Sequence, residues 1–420
     1  MFVTGLTLAN FRVIQEAEFD FHPGMNLIVG VNGVGKTSVL DALAVCLSAV
    51  VKEVNKLRTR VIAFDSDDIR IGADSLTAKC RFRLHQEELG YLVHKPRQAV
   101  VPREGKAGMP REQVRSTPGH TEFFSVGREK PAVLLVSMNE TRPLAVLFSP
   151  NRAVPSLLLP SSNAAAGGIV GATADALTSR ELRLGEIAAW MKTREELSRE
   201  QPAEGRILAT CEDVVRRFLP GYRNLRQDGT VPPQLWIDRD AMSIPVRCLS
   251  DGERGSLALV LDLTRRLALA NPNVDDPASE GEAVVLIDEI DLHLHPKWQR
   301  QIVHNLTAAF PRCQFIATTH SPQIVGEVPH ERIQIVADGE VYSPSHSFGV
   351  DSSRVLEEIM EADPRTERVH ELLGEISRVV GRERFKRGRE LLTELIEILG
   401  ENDPEVTRIR TLLDFLEGEE

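Results

Sequence analysis

Apolar and polar residues follow two patterns along this chain, one of short apolar runs and one of helical periodicity. The apolar runs are MNLIV (Met25–Val29), AVVLI (Ala283–Ile287) and QFIA (314–317). Runs of this length predict strands that are buried on both faces of a parallel sheet. Apolar residues at helical spacing after the first run, between positions 39 and 47, predict a helix. We therefore expect an α/β fold.

Helical periodicity dominates two further parts of the chain. Residues 181–219 have it, and we interpret them as a helical lobe. After residue 342 it predicts three or four amphipathic helices, one ending at Gly400 and the last beginning at Pro404 behind the capping residue Asp403. These helices are either a packing extension of the core or a docking surface for another protein, and the pattern leaves both open.

Changes of composition predict four regions. Residues 103–130, rich in Gly, Pro and charge, predict a mobile loop in a β-rich insertion, while 161–176 predict a small-residue linker and 271–282 a loop. The expected regions are an N-terminal lobe with the insertion (1–160), a linker and helical lobe (161–245), the C-terminal part of the core (246–345) and an all-helical extension (346–420).

Overall composition is that of an ordinary globular protein, with 42% hydrophobic and 26% charged residues. The net charge of −11 argues against a chain that coats nucleic acid without selectivity. Basic residues cluster at 81–83 and 382–389, and we interpret both clusters as solvated faces. We find no signal-peptide pattern and no apolar run near the ~18 residues of a membrane helix, so no membrane partner is expected.

Cysteine and histidine spacing gives no metal site. The five cysteines are scattered without a CxxC pair, which argues against zinc and disulfides and fits a cytoplasmic location. His293 and His295 in DLHLHP have a spacing that metal ligands can use, but no third ligand lies nearby. We interpret them as part of a loop before a helix that starts at Pro296.

A phosphate-binding motif follows the first apolar run. The segment GVNGVGKT (30–37) satisfies G-x-x-x-x-G-K-[ST] between a predicted strand and a predicted helix. Backbone N–H groups of such a loop surround phosphates, Lys36 would reach the β- and γ-phosphates, and Thr37 would ligate Mg²⁺. The cofactors predicted are ATP and Mg²⁺, and the predicted nucleotide-binding set is Asn32, Gly33, Val34, Gly35, Lys36, Thr37 and Ser38.

Acidic residues at the end of the second run complete a hydrolytic site. Asp288 would hold Mg²⁺ with Thr37, and Glu289 would polarise the attacking water; the alternative is an acidic turn without chemistry. The third run ends near His320, which is placed to contact the γ-phosphate. We therefore predict Glu289 and His320 as catalytic residues and Thr37 and Asp288 as metal ligands.

The segment LSDGER (249–254) predicts a second anion-binding helix terminus, because Ser250 is a good N-cap and Gly252 permits close backbone approach. One nucleotide cannot easily touch this segment and the phosphate loop of the same chain if they lie on separate lobes. A two-fold homodimer solves the problem, with each ATP held between the phosphate loop of one copy and Ser250, Gly252 and Glu253 of the other.

The set LTLANFRVI, GVNGVGKT, LSDGER, VVLIDEIDLHLHP and ATTHSPQIV, in this order, resembles the ABC-type ATPases of the RecF/SMC and OLD-like class. The resemblance implies an ABC-type P-loop ATPase head with a helical lobe insertion, and it places Arg12 near the nucleotide. The family's Mg²⁺-contacting glutamine loop has no evident counterpart. The segment AVLFSPNRAV (145–154) resembles a strand-to-loop element of OLD-like and defence ATPases, which implies that Asn151 and Arg152 face the nucleotide.

The tail, FGVDSSRVLEEIMEADPRTERV and a later LGENDPE, resembles that of the PtuA-type ATPase subunit of Septu and retron-associated anti-phage systems. This resemblance implies regulation of a separately encoded HNH nuclease and assembly beyond a dimer. We expect no nuclease site in this chain, because no DxD follows His320 and no HNH-like cluster occurs.

Two other functions share parts of this motif set. A DNA-repair ATPase of RecF/SMC type that clamps DNA would use the same nucleotide residues, so it stays an alternative and DNA a candidate partner. A transporter subunit is disfavoured by DEIDLHLHP, where transporter ATPases usually carry DEP.

Overall fold

The computed structural model describes residues 1–97, 99–103, 111–115, 120–125, 128–131, 141–153, 167–179, 181–182, 184–200, 202–337, 339–360 and 365–417. The chain forms two compact units, Met1–Asp351 and Ser352–Glu420. None of the helices in these residues is long and apolar enough to cross a bilayer.

The strands of the described residues are β1 (Phe2–Phe11), β2 (Ile14–Asp20), β3 (Met25–Val29), β4 (Ser75–Leu84), β5 (Glu87–Pro96), β6 (Ala99–Arg103), β7 (Arg111–Arg115), β8 (His120–Ser125), β9 (Arg128–Pro131), β10 (Leu144–Phe148), β11 (Tyr222–Gln227), β12 (Leu235–Arg239), β13 (Met242–Pro245), β14 (Ala283–Ile287), β15 (Gln314–Thr319), β16 (Ile333–Ala337) and β17 (Glu340–Tyr342).

The helices are α1 (Lys36–Val54), α2 (Gly168–Thr173), α3 (Leu184–Ser198), α4 (Pro202–Phe218), α5 (Asp251–Ala270), α6 (Pro277–Glu280), α7 (Pro296–Ala309), α8 (Pro322–Val325), α9 (Ser352–Glu358), α10 (Glu367–Val380), α11 (Phe385–Leu399) and α12 (Pro404–Glu417).

A six-stranded sheet in the order β10-β14-β15-β3-β16-β17 forms the centre of the first unit. All its neighbouring strands are parallel except β17, which pairs antiparallel with β16. Every residue of β3, β14 and β15 is buried, as their apolar runs predict. The expected α/β class is confirmed. Because parallel strands end at one edge, the segments after Val29, Ile287 and Thr319 meet there.

A second, antiparallel sheet in the order β2-β1-β4-β5-β8-β9 packs with α1 and the central sheet in one hydrophobic core. Its strands β8 and β9, together with the hairpin β6-β7, occupy much of the stretch 103–130. The β-rich insertion is therefore present. The predicted mobile loop falls partly on these strands and partly on positions outside the described residues.

The region expected to be linker and helical lobe contains more than helices. The helices α3 and α4 share a core with the three-stranded sheet β11-β12-β13 and the first half of α5. These short strands escaped prediction because they carry few apolar positions between polar ones. Part of the predicted linker is the helix α2, whose Ala172 is fully buried and whose carbonyl accepts a hydrogen bond from Arg266. The small residues of α2 permit close packing on α5, so the linker interpretation was wrong for residues 168–173. Positions 154–166 lie outside the described residues.

The second unit contains α9 to α12, and α10 to α12 share a core of their own, which includes Leu372, Ile376 and Leu395. Helix α11 ends before Gly400, which has φ 86°, and α12 begins at Pro404 behind Asp403, whose carboxylate accepts from the Glu405 N–H at 2.9 Å. Both boundaries match the sequence prediction.

The two basic clusters are partly neutralised within the chain. In the tail, Arg387 pairs with Glu375 and Glu390, and Arg389 with Asp414 and Glu417. In the first cluster Arg81 pairs with Glu18 and Asp20. These pairs favour the interpretation of solvated faces.

Candidate nucleotide-binding site

The phosphate loop lies at the edge where the parallel strands end. Gly33 and Gly35 have φ values of 88° and 102°, a region that side chains other than glycine rarely adopt. Gly30 is required for a different reason, since a Cβ there would lie 2.4 Å from the carbonyl oxygen of Val336 on β16. The loop is thus shaped by backbone conformation and by close packing on the neighbouring strand.

Lys36 begins α1 and folds back over the loop. Its Nζ donates to the carbonyl oxygens of Gly30 and Val31, both at 2.8 Å. Burial lowers the pKa of the ammonium group, while the nearby charges of Asp288 and Glu289 act in the opposite direction. The lysine therefore occupies the loop with hydrogen bonds that a phosphate group can replace.

Asp288 joins the two halves of the site. Its Oδ2 accepts from Thr37 Oγ1 at 2.9 Å and its Oδ1 from Thr318 Oγ1 at 2.6 Å. It follows β14, and its backbone N–H donates to Phe148 O at 2.9 Å. Asp288 as a whole is 4% exposed, so these neighbours set the orientation of its carboxylate.

His320 is held at the same edge by a second set of hydrogen bonds. Thr319 Oγ1 donates to Asp291 Oδ1 at 2.6 Å, and the His320 N–H donates to the same oxygen at 3.3 Å. Burial and the Lys36 charge lower the pKa of the His320 imidazole. These two effects favour the neutral form of the ring over the opposing charges of Asp291, Glu289 and Asp288.

An open cavity of about 290 Å³ lies between these groups. Its lining includes Val13 and Thr318 and ten of the predicted site residues: Arg12, Asn32, Gly33, Gly35, Lys36, Thr37, Ser38, Asp288, Glu289 and His320. Arg12 pairs with Asp41 at 2.5 Å and Asp68 at 3.0 Å, which fixes it beside the loop. The Val34 side chain instead packs against the hydrophobic core, so Val34 can contribute only its backbone.

The donor set fits Mg²⁺ that arrives with a nucleotide. The Thr37 hydroxyl and the Asp288 carboxylate are hard oxygen ligands held next to each other. Within the described residues no group of three or more His, Cys, Asp or Glu side chains could hold a metal alone. Two protein ligands are what Mg²⁺ uses when phosphate oxygens and water complete its shell.

Ser250 caps α5 in a reciprocal arrangement with Glu253. The Ser250 hydroxyl accepts from the Glu253 N–H at 3.4 Å, and the Glu253 carboxylate accepts from the Ser250 N–H at 3.0 Å and hydroxyl at 2.7 Å. The other Glu253 oxygen accepts from Tyr222 Oη at 2.9 Å. Burial alone would raise the pKa of the Glu253 carboxyl, but the hydrogen bonds from Ser250 and Tyr222 outweigh it and hold that pKa below its usual value.

Gly252 is required for packing within the chain itself. It is buried, and a Cβ on it would lie 2.3 Å from the carbonyl oxygen of His293. The glycine therefore lets α5 approach the chain's own loop after β14. None of the three residues Ser250, Gly252 and Glu253 belongs to the described lining of the cavity.

The remaining candidates lie close to the same strand ends. Asn151 and Arg152 follow β10, the strand next to β14; Asn151 is exposed, and the Arg152 side chain is outside the described residues.

His295 of the DLHLHP segment lies in the loop before α7. Its Nδ1 accepts from the Lys297 N–H at 3.3 Å and so caps α7, which begins at Pro296 as predicted.

Sequence reasoning assigned no role to Thr318 or Asp291, the residues that orient Asp288 and His320. Both differ from their surroundings: Thr318 is a hydroxyl residue at the end of an apolar strand, and Asp291 is a further acid just after Asp288 and Glu289. A polar residue beside a predicted catalytic group is the signal that could have identified them.

The structure brings a phosphate loop, an Asp-Glu strand end and a histidine to one edge of a parallel sheet, and it places a serine-capped helix elsewhere in the same unit. This is the arrangement expected from the resemblance to ABC-type P-loop ATPase heads. A family model described as "AAA domain" matches residues 6–116. A second, described as "AAA domain, putative AbiEii toxin, Type IV TA system", matches residues 236–326.

Individual relatives narrow the class. The chain is 36% identical over 222 residues to the retron Ec83 probable ATPase of Escherichia coli, covering 52% of this chain and 41% of that protein. It is 26% identical over 341 residues to the Septu protein PtuA of Bacillus mycoides, covering 76% of this chain and 38% of the relative. The chain thus spans less than half the length of either relative. The predicted resemblance to RecF/SMC-like ATPases of retron and Septu type is confirmed.

Among solved structures, the crystal structure of the SmcHead bound to the C-winged helix domain of ScpA is similar to this chain. It has a TM-score of 0.49 and 16% sequence identity, and the match covers 82% of this chain and 97% of that one.

Proposed function

We propose that this chain binds and hydrolyses ATP and that two copies close around the nucleotide. The proposal is carried by one observation, the meeting of Lys36, Thr37, Asp288, Glu289 and His320 around a single cavity at the edge of the sheet. Three separate parts of the sequence supply these groups, and each matches a requirement of phosphoryl transfer to water.

Each residue has a distinct role in this proposal. Lys36 exchanges its hydrogen bonds to Gly30 and Val31 for phosphate oxygens. Thr37 and Asp288 hold Mg²⁺, which when bound neutralises charge on the phosphates. Glu289 accepts a proton from the attacking water, and the neutral His320 ring contacts the γ-phosphate.

The position of Ser250 supports the proposal of a dimer. Its hydroxyl and the first turn of α5 form an anion-binding terminus, yet Ser250 is outside the described lining of the chain's own cavity. A second copy placed head to tail brings Ser250 and Glu253 to the other copy's triphosphate, so that ATP joins the two chains.

The wider role is proposed from the relatives. The names of the retron and Septu relatives support an ATPase of these defence systems. The tail's resemblance to the PtuA-type subunit is the ground for proposing that the chain regulates a nuclease partner of HNH type, in assemblies larger than a dimer. Free cysteines, four of them buried, favour a reducing cytoplasm. Co-purification of the chain with the products of neighbouring reading frames tests the partner, and recovery of the chain without a nuclease would count against it.

ATP binding and hydrolysis are tested on the purified full chain with Mg²⁺. We expect phosphate release and nucleotide binding, both strongly reduced in Lys36→Ala. Lys52→Ala, which removes a lysine from the other end of α1, is the matched control and should behave as the original chain. An original chain that neither binds nor hydrolyses ATP would remove the proposal.

A further inference from the structure

Thr318, the penultimate residue of β15, is hydrogen-bonded to the three consecutive residues that follow β14. Its hydroxyl donates to Asp288 Oδ1 at 2.6 Å and accepts from the Glu289 N–H at 2.7 Å. Its carbonyl oxygen accepts from the Ile290 N–H at 2.9 Å. Since Thr318 is 1% exposed, water cannot substitute for these contacts in the folded chain.

The direction of the hydrogen bonds is determined by chemistry. A hydroxyl has one proton to donate and lone pairs that accept. An ionised carboxylate can only accept a hydrogen bond, and a backbone N–H can only donate one. The proton of Thr318 goes to Asp288, and its lone pairs receive the Glu289 N–H. Asp288 Oδ1 is thereby engaged, and Oδ2 is left facing Thr37, where Mg²⁺ is expected.

The backbone of Glu289 needs this partner. Glu289 has φ 50°, a left-handed conformation that residues other than glycine adopt infrequently. The strand has ended at Ile287, so the Glu289 N–H no longer belongs to the sheet ladder. This part-buried N–H instead donates to the hydroxyl of the buried Thr318, in the conformation that leaves Glu289 in the cavity lining.

We propose that Thr318 is a positioning residue of this site, whose hydroxyl orients Asp288 toward the metal and holds the backbone turn that presents Glu289 to water. The inference rests on the proposed ATPase function and deepens it. Thr318 acts through its two neighbours and donates nothing to the nucleotide itself.

The adjacent residue offers a matched control. Thr319 is also fully buried, lies on the same strand and has a hydroxyl that donates to an aspartate, but that aspartate is Asp291. Replacing either threonine by valine removes a buried hydroxyl and keeps nearly the same volume. Only the change at Thr318 removes contacts to Asp288 and Glu289.

Two measurements on the full chain test the proposal. In the ligand-free protein, amide hydrogen exchange reports the Glu289 N–H directly, and we expect faster exchange at 287–290 in Thr318→Val only. In the second, the Mg²⁺ concentration for half-maximal ATP binding should rise about 10- to 100-fold in Thr318→Val, as for the loss of other residues that orient a ligand. Binding measured in EDTA should stay the same, and Thr318→Ser should restore both values.

The outcomes separate the two hypotheses. No Mg²⁺-dependent ATP binding in the original chain would overturn the proposed function and this role with it. Mg²⁺ dependence that Thr318→Val leaves unshifted, or shifts no more than Thr319→Val does, would overturn the role of Thr318 alone. Thr318→Ala is prepared in parallel, since a valine methyl placed against the carboxylate could prevent folding, and either folded variant decides the question.

Discussion

Thr37 Oγ1 lies 2.9 Å from Asp288 Oδ2, although 251 positions separate the two residues in the chain. The contact exists because β15 lies between β3 and β14 in the central sheet, which places the phosphate loop and the acidic strand end at one edge. The proposed metal site is therefore a property of strand order. Changes in either half of the site should affect binding and hydrolysis through the other.

Replacing Glu289 by Gln should separate binding from hydrolysis. Glutamine keeps the shape of the side chain but cannot accept the proton of water, so we expect turnover to fall about 10²- to 10⁴-fold while ATP binding persists. The ATP-bound dimer should accumulate. Phosphate release and size-exclusion chromatography with Mg²⁺ and ATP measure the two effects.

Glu196→Gln, an exposed change on α3, serves as its control and should leave turnover unaltered. Full hydrolysis by Glu289→Gln would show that another group activates the water.

The variant Ser250→Arg should block dimer closure without weakening ATP binding to the single chain. The long cation occupies the space that the partner's triphosphate needs. The variant also loses an N-cap, which costs about 1 kcal/mol of stability. Ser250→Ala loses the same cap without the bulk, so a comparison of the two isolates the effect on closure, with ATP-dependent dimerisation measured by light scattering. Weak ATP binding by monomeric Ser250→Arg would contradict the hypothesis that two copies share each nucleotide site.

Removing the Tyr222 hydroxyl should loosen the capping box of α5. Tyr222 is 4% exposed and donates to Glu253, so Tyr222→Phe should lower the free energy of unfolding by about 1 kcal/mol and weaken ATP-dependent dimerisation. Tyr91→Phe changes another buried tyrosine, in the antiparallel sheet, and should leave dimerisation intact. Denaturant unfolding and dimer affinity measure the two effects. Equal dimer affinity in both variants would exclude this role for Tyr222.

The pH dependence of stability should contain a contribution from His320. Burial and the Lys36 charge lower its pKa in the folded chain, so the unfolded chain binds a proton more readily. The stability from the neutral ring is complete above about pH 6.5, the ordinary histidine pKa, and is lost as pH falls below it. Replacing His320 by Asn should flatten this part of the curve, measured by urea unfolding between pH 5 and pH 8, whereas His330→Asn, at an exposed position, should not. An unchanged slope in the His320 variant would mean that the ring is not held neutral.

Local patterns predicted much of the architecture. Composition and spacing within short segments were enough to predict the buried strands of the parallel sheet and the helix after the phosphate loop. They also predicted the helix boundaries at Gly400 and Pro404. The strands at 222–245 and the helix α2 were missed, because their few apolar residues acquire meaning only from what they pack against.

The sequence by itself determined which chemical groups are available, since a phosphate loop, an acid pair and a histidine at strand ends are recognisable without coordinates. Only the tertiary structure decided how they are oriented. Thr318 bridges Asp288 and Glu289, and Gly252 faces the carbonyl of His293, through contacts between residues far apart in the chain. Hydrogen bonds and close packing depend on distance and direction in space, which strand order creates and local sequence does not contain.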